Sequence, residues 1–151
     1  MNDDLIKAEQ VFTIVNLLAV IGWLLIAVLP RWKYTRIIVL SGGIPLLLSV
    51  AYLVLIVMFF GRAEGGFDSL ANVMKLFTNE WAVLAGWIHY LAFDLFIGSW
   101  EVRDAERRGI NHLAVIPCLV FTFLFGPIGL IGYMVVRQFP MKLDDDGLEN
   151  N

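Results

Sequence analysis

The chain has 151 residues, 59% apolar and 17% charged, with a mean hydropathy of +0.75. Soluble domains sit nearer about 45–50% apolar, so the composition excludes an ordinary soluble fold and indicates a membrane protein. The net charge of −3, with basic residues in short isolated loops, leaves no surface for nucleic acid, and two histidines are too few for a histidine-rich di-iron centre.

Four long apolar runs follow in order. Val11 to Leu29 is interrupted only by Thr13 and Asn16, and Ile37 to Phe60 carries no charge. Trp81 to Trp100 and Leu113 to Val136 complete the set. Each approaches or exceeds the roughly 20 residues a helix needs to cross about 30 Å of hydrocarbon. Backbone groups in lipid must be satisfied within the segment, so helices are expected. The expected fold is an all-α membrane protein: a bundle of four transmembrane helices at about 11–29, 37–60, 81–100 and 113–136, in one domain over 1–140.

The leading residues "MNDDLIKAEQ" lack a basic n-region, and no small-residue cleavage site follows the first run, so it reads as a retained helix. Nothing in the chain looks like an Arg/Ser-rich transit peptide. A bacterial inner-membrane protein, or a trimmed plastid-membrane chain, fits. Loop one holds Arg31, Lys33 and Arg36, and loop three, "EVRDAERRGINH", holds Arg103, Arg107 and Arg108. The positive-inside rule then places loops one and three in the cytoplasm and both termini outside.

"SGGIPLLL" (41–48) in the second helix and "FGPIGLIGY" (125–133) in the fourth are expected kinks, because proline removes a backbone donor and crowds the preceding turn. Gly126, Gly129 and Gly132 lie three apart, which suits close helix packing or a ligand groove. Between helices two and three, Phe67, Leu70, Met74 and Phe77 mark one apolar face of a short amphipathic helix at the interface or over the bundle. Asp68 or Ser69 is expected to cap its start, and Thr78–Asn79 the helix that follows. The tail 141–151 is acidic and patternless and is expected to be disordered.

The third run carries the chemistry. At about 100° per residue, Trp87, Tyr90, Asp94 and Glu101 fall on one stripe and His89, Phe93, Phe96 and Trp100 on another. His89 and Asp94, five apart, point about 140° away from each other, so they are no hydrogen-bonded dyad. Asp94 lies roughly 9 Å inside the Trp100 end and His89 lies deeper. Ionisable groups at such depth are functional candidates by default. The alternative is structural: Asp94 bonded to Tyr52 or Asn16, and His89 satisfied inside the bundle. Glu101 is expected at the headgroup boundary, and Asp104, Glu106, Arg107 and Arg108 in a solvated loop with an Asp104–Arg108 pair. No Walker A, GxGxxG, CxxC or HExxH sequence is present, so no metal site and no cofactor is expected, and Cys118 has no intrachain partner. His112 sits too far from His89 in depth for a bis-histidine haem. Few polar positions in the helices make a poor pore unless copies assemble.

"AGWIHYLAFDLFIGSW", "DAERRGINH" and "PCLVFTFLFGPIGLIGY", with "LPRW" and "FDSLANVMKLF", resemble the abscisic-acid-deficient-four-like family, which includes the plant neoxanthin synthases. The resemblance covers nearly the whole chain. It implies a four-helix membrane protein acting on carotenoids, as an isomerase that turns an epoxide end group into an allene by acid–base chemistry. It makes Asp94 the candidate acid and His89 or Glu101 the candidate base. Trp87, Tyr90, Phe93, Trp100, Phe121 and Phe125, with Asn16, would line a slot for a ring and polyene. The expected partners are a carotenoid or another elongated apolar lipid, bilayer lipids and, if copies associate, a homo-oligomer. A non-catalytic carotenoid or lipid binder and a scaffold subunit of a membrane complex remain the alternatives.

Overall fold

The structure, a computed structural model, describes residues 2–59, 61 and 63–139, with side chains from residue 6 onward. The acidic tail expected over 141–151 lies outside these residues. Among the described residues the chain is helical, without a strand. The elements are α1 (Asn2–Val28), α2 (Lys33–Thr35), a π-helical stretch (Arg36–Leu40), α3 (Gly43–Phe59), α4 (Leu70–Leu76), α5 (Glu80–Arg108), α6 (His112–Phe125) and α7 (Pro127–Val136).

Three stretches are long and apolar enough to cross a membrane: Ile6–Val28, Lys33–Phe59 and Glu80–Arg108. Their outer faces leave Leu17, Leu24, Leu46, Leu53 and Val57 exposed, an apolar surface of the kind that lipid covers. α5 is the central element and packs against α1, α3 and α6. Ile26, Leu48, Ile88, Leu95 and Leu119 meet there, fully buried.

Both expected kinks are breaks. In the second run the Ser41 amide donates to the Arg36 carbonyl at 3.0 Å, a π-type bond, and Gly42 takes φ +94° before α3 begins. The Arg103 guanidinium donates to the Leu40 carbonyl, satisfying an acceptor that the break leaves free. In the fourth run the break is complete. Gly126 adopts φ +47° and ψ −93°, a left-handed conformation costly for residues with a Cβ, and Pro127 opens α7 with its fixed φ.

The expected fourth span, 113–136, is therefore not one helix. α6 and α7 are 14 and 10 residues long, roughly 21 and 15 Å, and they run back along each other. A Cβ on Gly129 would collide with the backbone and hydroxyl of Thr122, and one on Gly132 would meet Cys118 Sγ at 3.8 Å. Close packing, not a ligand groove, is what Gly129 provides. The hydropathy of 113–136 suggested a single span because apolar character does not register a reversal of direction.

The hairpin returns to the end from which it started. His112 Nε2 lies 2.9 Å from the Ala27 carbonyl, near the end of α1. Arg36 meets Glu106 at 3.3 Å. At the same end Asp104 Oδ2 accepts from Tyr133 Oη at 2.9 Å, Arg137 Nε at 2.7 Å and Arg108 Nε at 2.9 Å. α5 runs on to Arg108, so the expected solvated loop is a helical end, and Asp104, only 6% exposed, is its hub. The opposite end holds the start of α1, α4 and the start of α5. Ser69 caps α4 through its hydroxyl, and Asn79 caps α5 by accepting from the Trp81 and Ala82 amides. Phe67, Leu70, Met74 and Phe77 around α4 are exposed.

α1 starts at one end of the bundle and α7 finishes at the other, beside Asp104, so the two described termini lie at opposite ends. Arg137 joins Arg31, Lys33, Arg36, Arg103, Arg107 and Arg108 at one end, sharpening the charge asymmetry. Fusions of a periplasm-active phosphatase and of green fluorescent protein to each terminus in a bacterial host should report the C-terminus inside and the N-terminus outside. Both termini on one side would mean that α6–α7 crosses. The packing makes a second prediction: Gly129→Ala should cost roughly 1–3 kcal/mol through overpacking, lowering the thermal midpoint in detergent. Gly132→Ala, with ordinary contact distance, should leave that midpoint nearly unchanged.

Candidate functional site

Asp94, Glu101 and Asp104 lie on the side of α5 that the hairpin covers, at its tip, middle and base. At the tip, a Cβ on Gly126 would stand 3.0 Å from Asp94 Oδ1, so the turn rests directly on the carboxyl. Asp94 Oδ2 is buried and, among the described residues, has no hydrogen-bond partner. One turn earlier, Tyr90 Oη donates to the Phe123 carbonyl at 2.8 Å and ties α5 to the last turn of α6. Glu101 is fully buried. Its Oε1 accepts from Thr122 Oγ1 at 3.0 Å, and its Oε2 has no partner among the described residues. Neither Tyr52 nor Asn16 bonds Asp94.

The hairpin stops at Asp94. Beyond it, toward the α4 end, the same face of α5 carries Trp87 and Val83, both exposed, with α1 on one side. Trp87 Nε1 donates to Asn16 Oδ1 at 3.1 Å and its ring lies 5.8 Å from Phe12. A cavity of about 340 Å³ opens here, lined by Phe12, Thr78, Val83 and Trp87 among others. Glu9 and Glu80 also line it, so the cleft between α1 and α5 opens at the α4 end of the bundle. Asn16 and Tyr90 adjoin Trp87 beyond it, and Asp94 with the Gly126 turn lies roughly 10 Å further along α5 than Trp87.

His89 is on the other side of α5. Its ring stacks on Phe93 at 4.6 Å and lies 5.6 Å from Tyr52 of α3, in a pocket roofed by Phe67 and Phe77. The remaining expected slot residues disperse as well. Trp100 packs edge-on against Tyr133 at 5.4 Å, under the Arg137 guanidinium. Phe93 lines the α3 side, and Phe121 and Phe125 are exposed on the outside of α6. Of the expected residues, the structure therefore brings Asn16, Trp87, Tyr90 and Asp94 together and separates Glu101, His89, Phe93, Trp100, Phe121 and Phe125 from them. Among the described residues no three His, Cys, Asp or Glu side chains converge as a metal-binding group.

Thr122, Tyr133 and Arg137 escaped the sequence reading. Tyr133 and Arg137 sit four apart, one helical turn, and that spacing on the last apolar stretch was an available signal for a joint contact. Thr122 had no signal of its own, since a threonine can satisfy its hydroxyl on its own helix.

No solved structure matches the chain. Among characterised proteins, Protein ABA DEFICIENT 4, chloroplastic, of Arabidopsis thaliana is 24% identical over 139 residues, covering 86% of this chain and 61% of that protein. The chain thus spans about three fifths of that relative's length. The family model described as ABA DEFICIENT 4-like matches residues 10–133, a span that takes in Trp87, Tyr90, Asp94 and the Gly126 turn. The chain belongs to the ABA DEFICIENT 4-like family.

Proposed function

We propose that this protein is an integral membrane carotenoid isomerase that takes its substrate from the lipid phase into the α1–α5 cleft. The observation that carries the reading is Asp94: a mid-helix carboxyl against the Gly126 turn, on the Tyr90–Trp87 stripe that leads to the cleft, with one buried oxygen unpartnered among the described residues. An ionisable group kept at such depth marks a functional position by default. Family membership and the relation to ABA DEFICIENT 4 support the carotenoid class.

For an epoxide end group the chemistry closes without a cofactor. Asp94 gives its proton to the epoxide oxygen as the carbon–oxygen bond breaks. A proton then leaves the adjacent polyene carbon, and its electron pair forms the cumulated double bond of an allene. His89 faces away, and Glu101 is about 10 Å further along the helix axis, behind the hairpin. The nearest acceptor is therefore the second oxygen of Asp94 itself, and proton return to that oxygen regenerates the acid. Tyr90 and Trp87 hold the ring and polyene by contact area, and the Gly126 turn fixes the carboxyl from below.

The second reading, a non-catalytic carotenoid or lipid binder, draws on the aromatic side chains that remain exposed on several faces of the bundle. Pigment analysis of a carotenoid-producing bacterial host with and without the chain separates the two. The parent chain should convert an epoxy-carotenoid to a product of equal mass. Asp94→Asn should lower conversion at least 100-fold, in keeping with loss of a general acid, while still co-purifying with pigment. Asp94→Glu should retain a measurable part. Equal conversion by parent and Asp94→Asn would remove Asp94 from the reaction, and pigment bound without any conversion would favour the binder.

A further inference from the structure

The pocket around His89 belongs to a different face of the molecule, and it sets two polar side chains, His89 and Tyr52, in an apolar wall. His89 lies nine residues into α5, roughly 14 Å from its start, yet it is exposed and does not face the bundle interior. Polar side chains at such depth almost always face the interior or an aqueous cavity, because the bilayer offers them no partner. Among the described residues His89 and Tyr52 make ring contacts, with each other and with Phe93, and no hydrogen bond. The rest of the wall is apolar: Phe59 stacked on Trp81 at 4.3 Å, and Phe67 and Phe77 from the α4 region.

Two unsatisfied polar groups of complementary capacity share this wall. A phenol can donate, and a neutral imidazole can accept through one nitrogen and donate through the other. A single hydroxyl between them would give its proton to the imidazole and accept one from the phenol. The pocket holds about 230 Å³, below the usual range for a whole drug-sized ligand of about 300–1,000 Å³, so it takes one end of a longer molecule. A second cavity of about 410 Å³ lies further along the same α3–α5 groove, between Ser41, Pro45, Phe93 and Phe96. From Trp81 to Phe96 the groove follows α5 for roughly 22 Å.

We infer that the α3–α5 groove is a binding site for an elongated apolar alcohol, whose hydroxyl-bearing end sits between His89 and Tyr52 and whose tail runs past Phe93. The site is independent of the Asp94 cleft and stands whether or not that cleft is catalytic. α4 closes the pocket from the end of the bundle, so access is from the lipid side.

All-trans-retinol, an apolar polyene alcohol, tests this by energy transfer from tryptophan in detergent-solubilised full chain. The parent should bind it saturably, and retinyl acetate, with its hydroxyl masked, about tenfold more weakly. The double variant His89→Leu, Tyr52→Phe should weaken retinol at least tenfold. Gly86→Leu serves as a second variant that leaves both polar groups intact. A Cβ there already meets the Phe77 ring at 3.0 Å, so the larger side chain fills the pocket and should weaken retinol and retinyl acetate alike. The same titration on Asp94→Asn identifies the cleft that gives the signal. Retinol binding that survives both groove variants overturns the inference. So does a loss on Asp94→Asn equal to that on the double variant. No retinol binding, with a dimer that His89→Leu dissociates by light scattering, assigns the groove to a second copy and also overturns it.

Discussion

Between Phe125 and Pro127 the chain reverses through a backbone conformation open to glycine and costly to residues with a Cβ, and the reversal is held at its base by Asp104. A turn alone would leave α7 free to swing, since its apolar face meets lipid as readily as protein and gains little from the hydrophobic effect in a bilayer. Asp104 supplies what packing does not. Its carboxylate takes hydrogen bonds from Tyr133, Arg137 and Arg108, and charge-assisted bonds of this kind are the strong ones. With base and turn both fixed, the tip of the hairpin has one position, against Asp94.

Three carboxyls on one stripe of α5 then acquire different environments from a single neighbour. Asp104, at the base, is saturated with donors. Glu101, halfway along, is fully buried, with one oxygen taking the Thr122 hydroxyl and the other without a partner among the described residues. Asp94, at the tip, has both oxygens against the Gly126 turn, and Oδ2 has no hydrogen-bond partner among the described residues. Satisfied buried polar groups specify packing, whereas an unsatisfied one costs free energy and is retained where something else uses it. Asp104 is thus the structural anchor, and of the two carboxyls with an unpartnered oxygen Glu101 is fully buried behind the hairpin whereas Asp94 is only partly covered, although all three residues are acidic and share a helix face.

Much of this was legible from residue order. The apolar runs, the caps Ser69 and Asn79, the breaks at Gly42 and Gly126, and the divergence of His89 from Asp94 all follow from local rules of helix geometry and turn chemistry. The direction of the chain after Gly126 did not. A kink and a reversal have the same local signature, glycine followed by proline, and the choice between them rests on whether Thr122 and Gly129 can touch. The same holds for Asp104, which reads as a solvated charge until Arg137 is known to return. Trp100 illustrates a subtler miss: it shares a stripe with His89 on an ideal helix, but a partner on α7 draws its ring toward Tyr133.

The half-length hairpin also explains why α5 has two different grooves rather than one enclosed slot. A full fourth span would cover the face bearing Trp87 and Tyr90 and seal Asp94 from lipid. A hairpin ending at Asp94 covers only the basic half and leaves the other half open beside α1. On the opposite face, α3 lies against α5, and the groove between them is capped by α4 and carries His89. An apolar substrate dissolved in the bilayer needs no aqueous entrance to either groove. What each requires is a polar group placed where the molecule's own polar atom arrives, and α5 presents one on each side, about 140° apart.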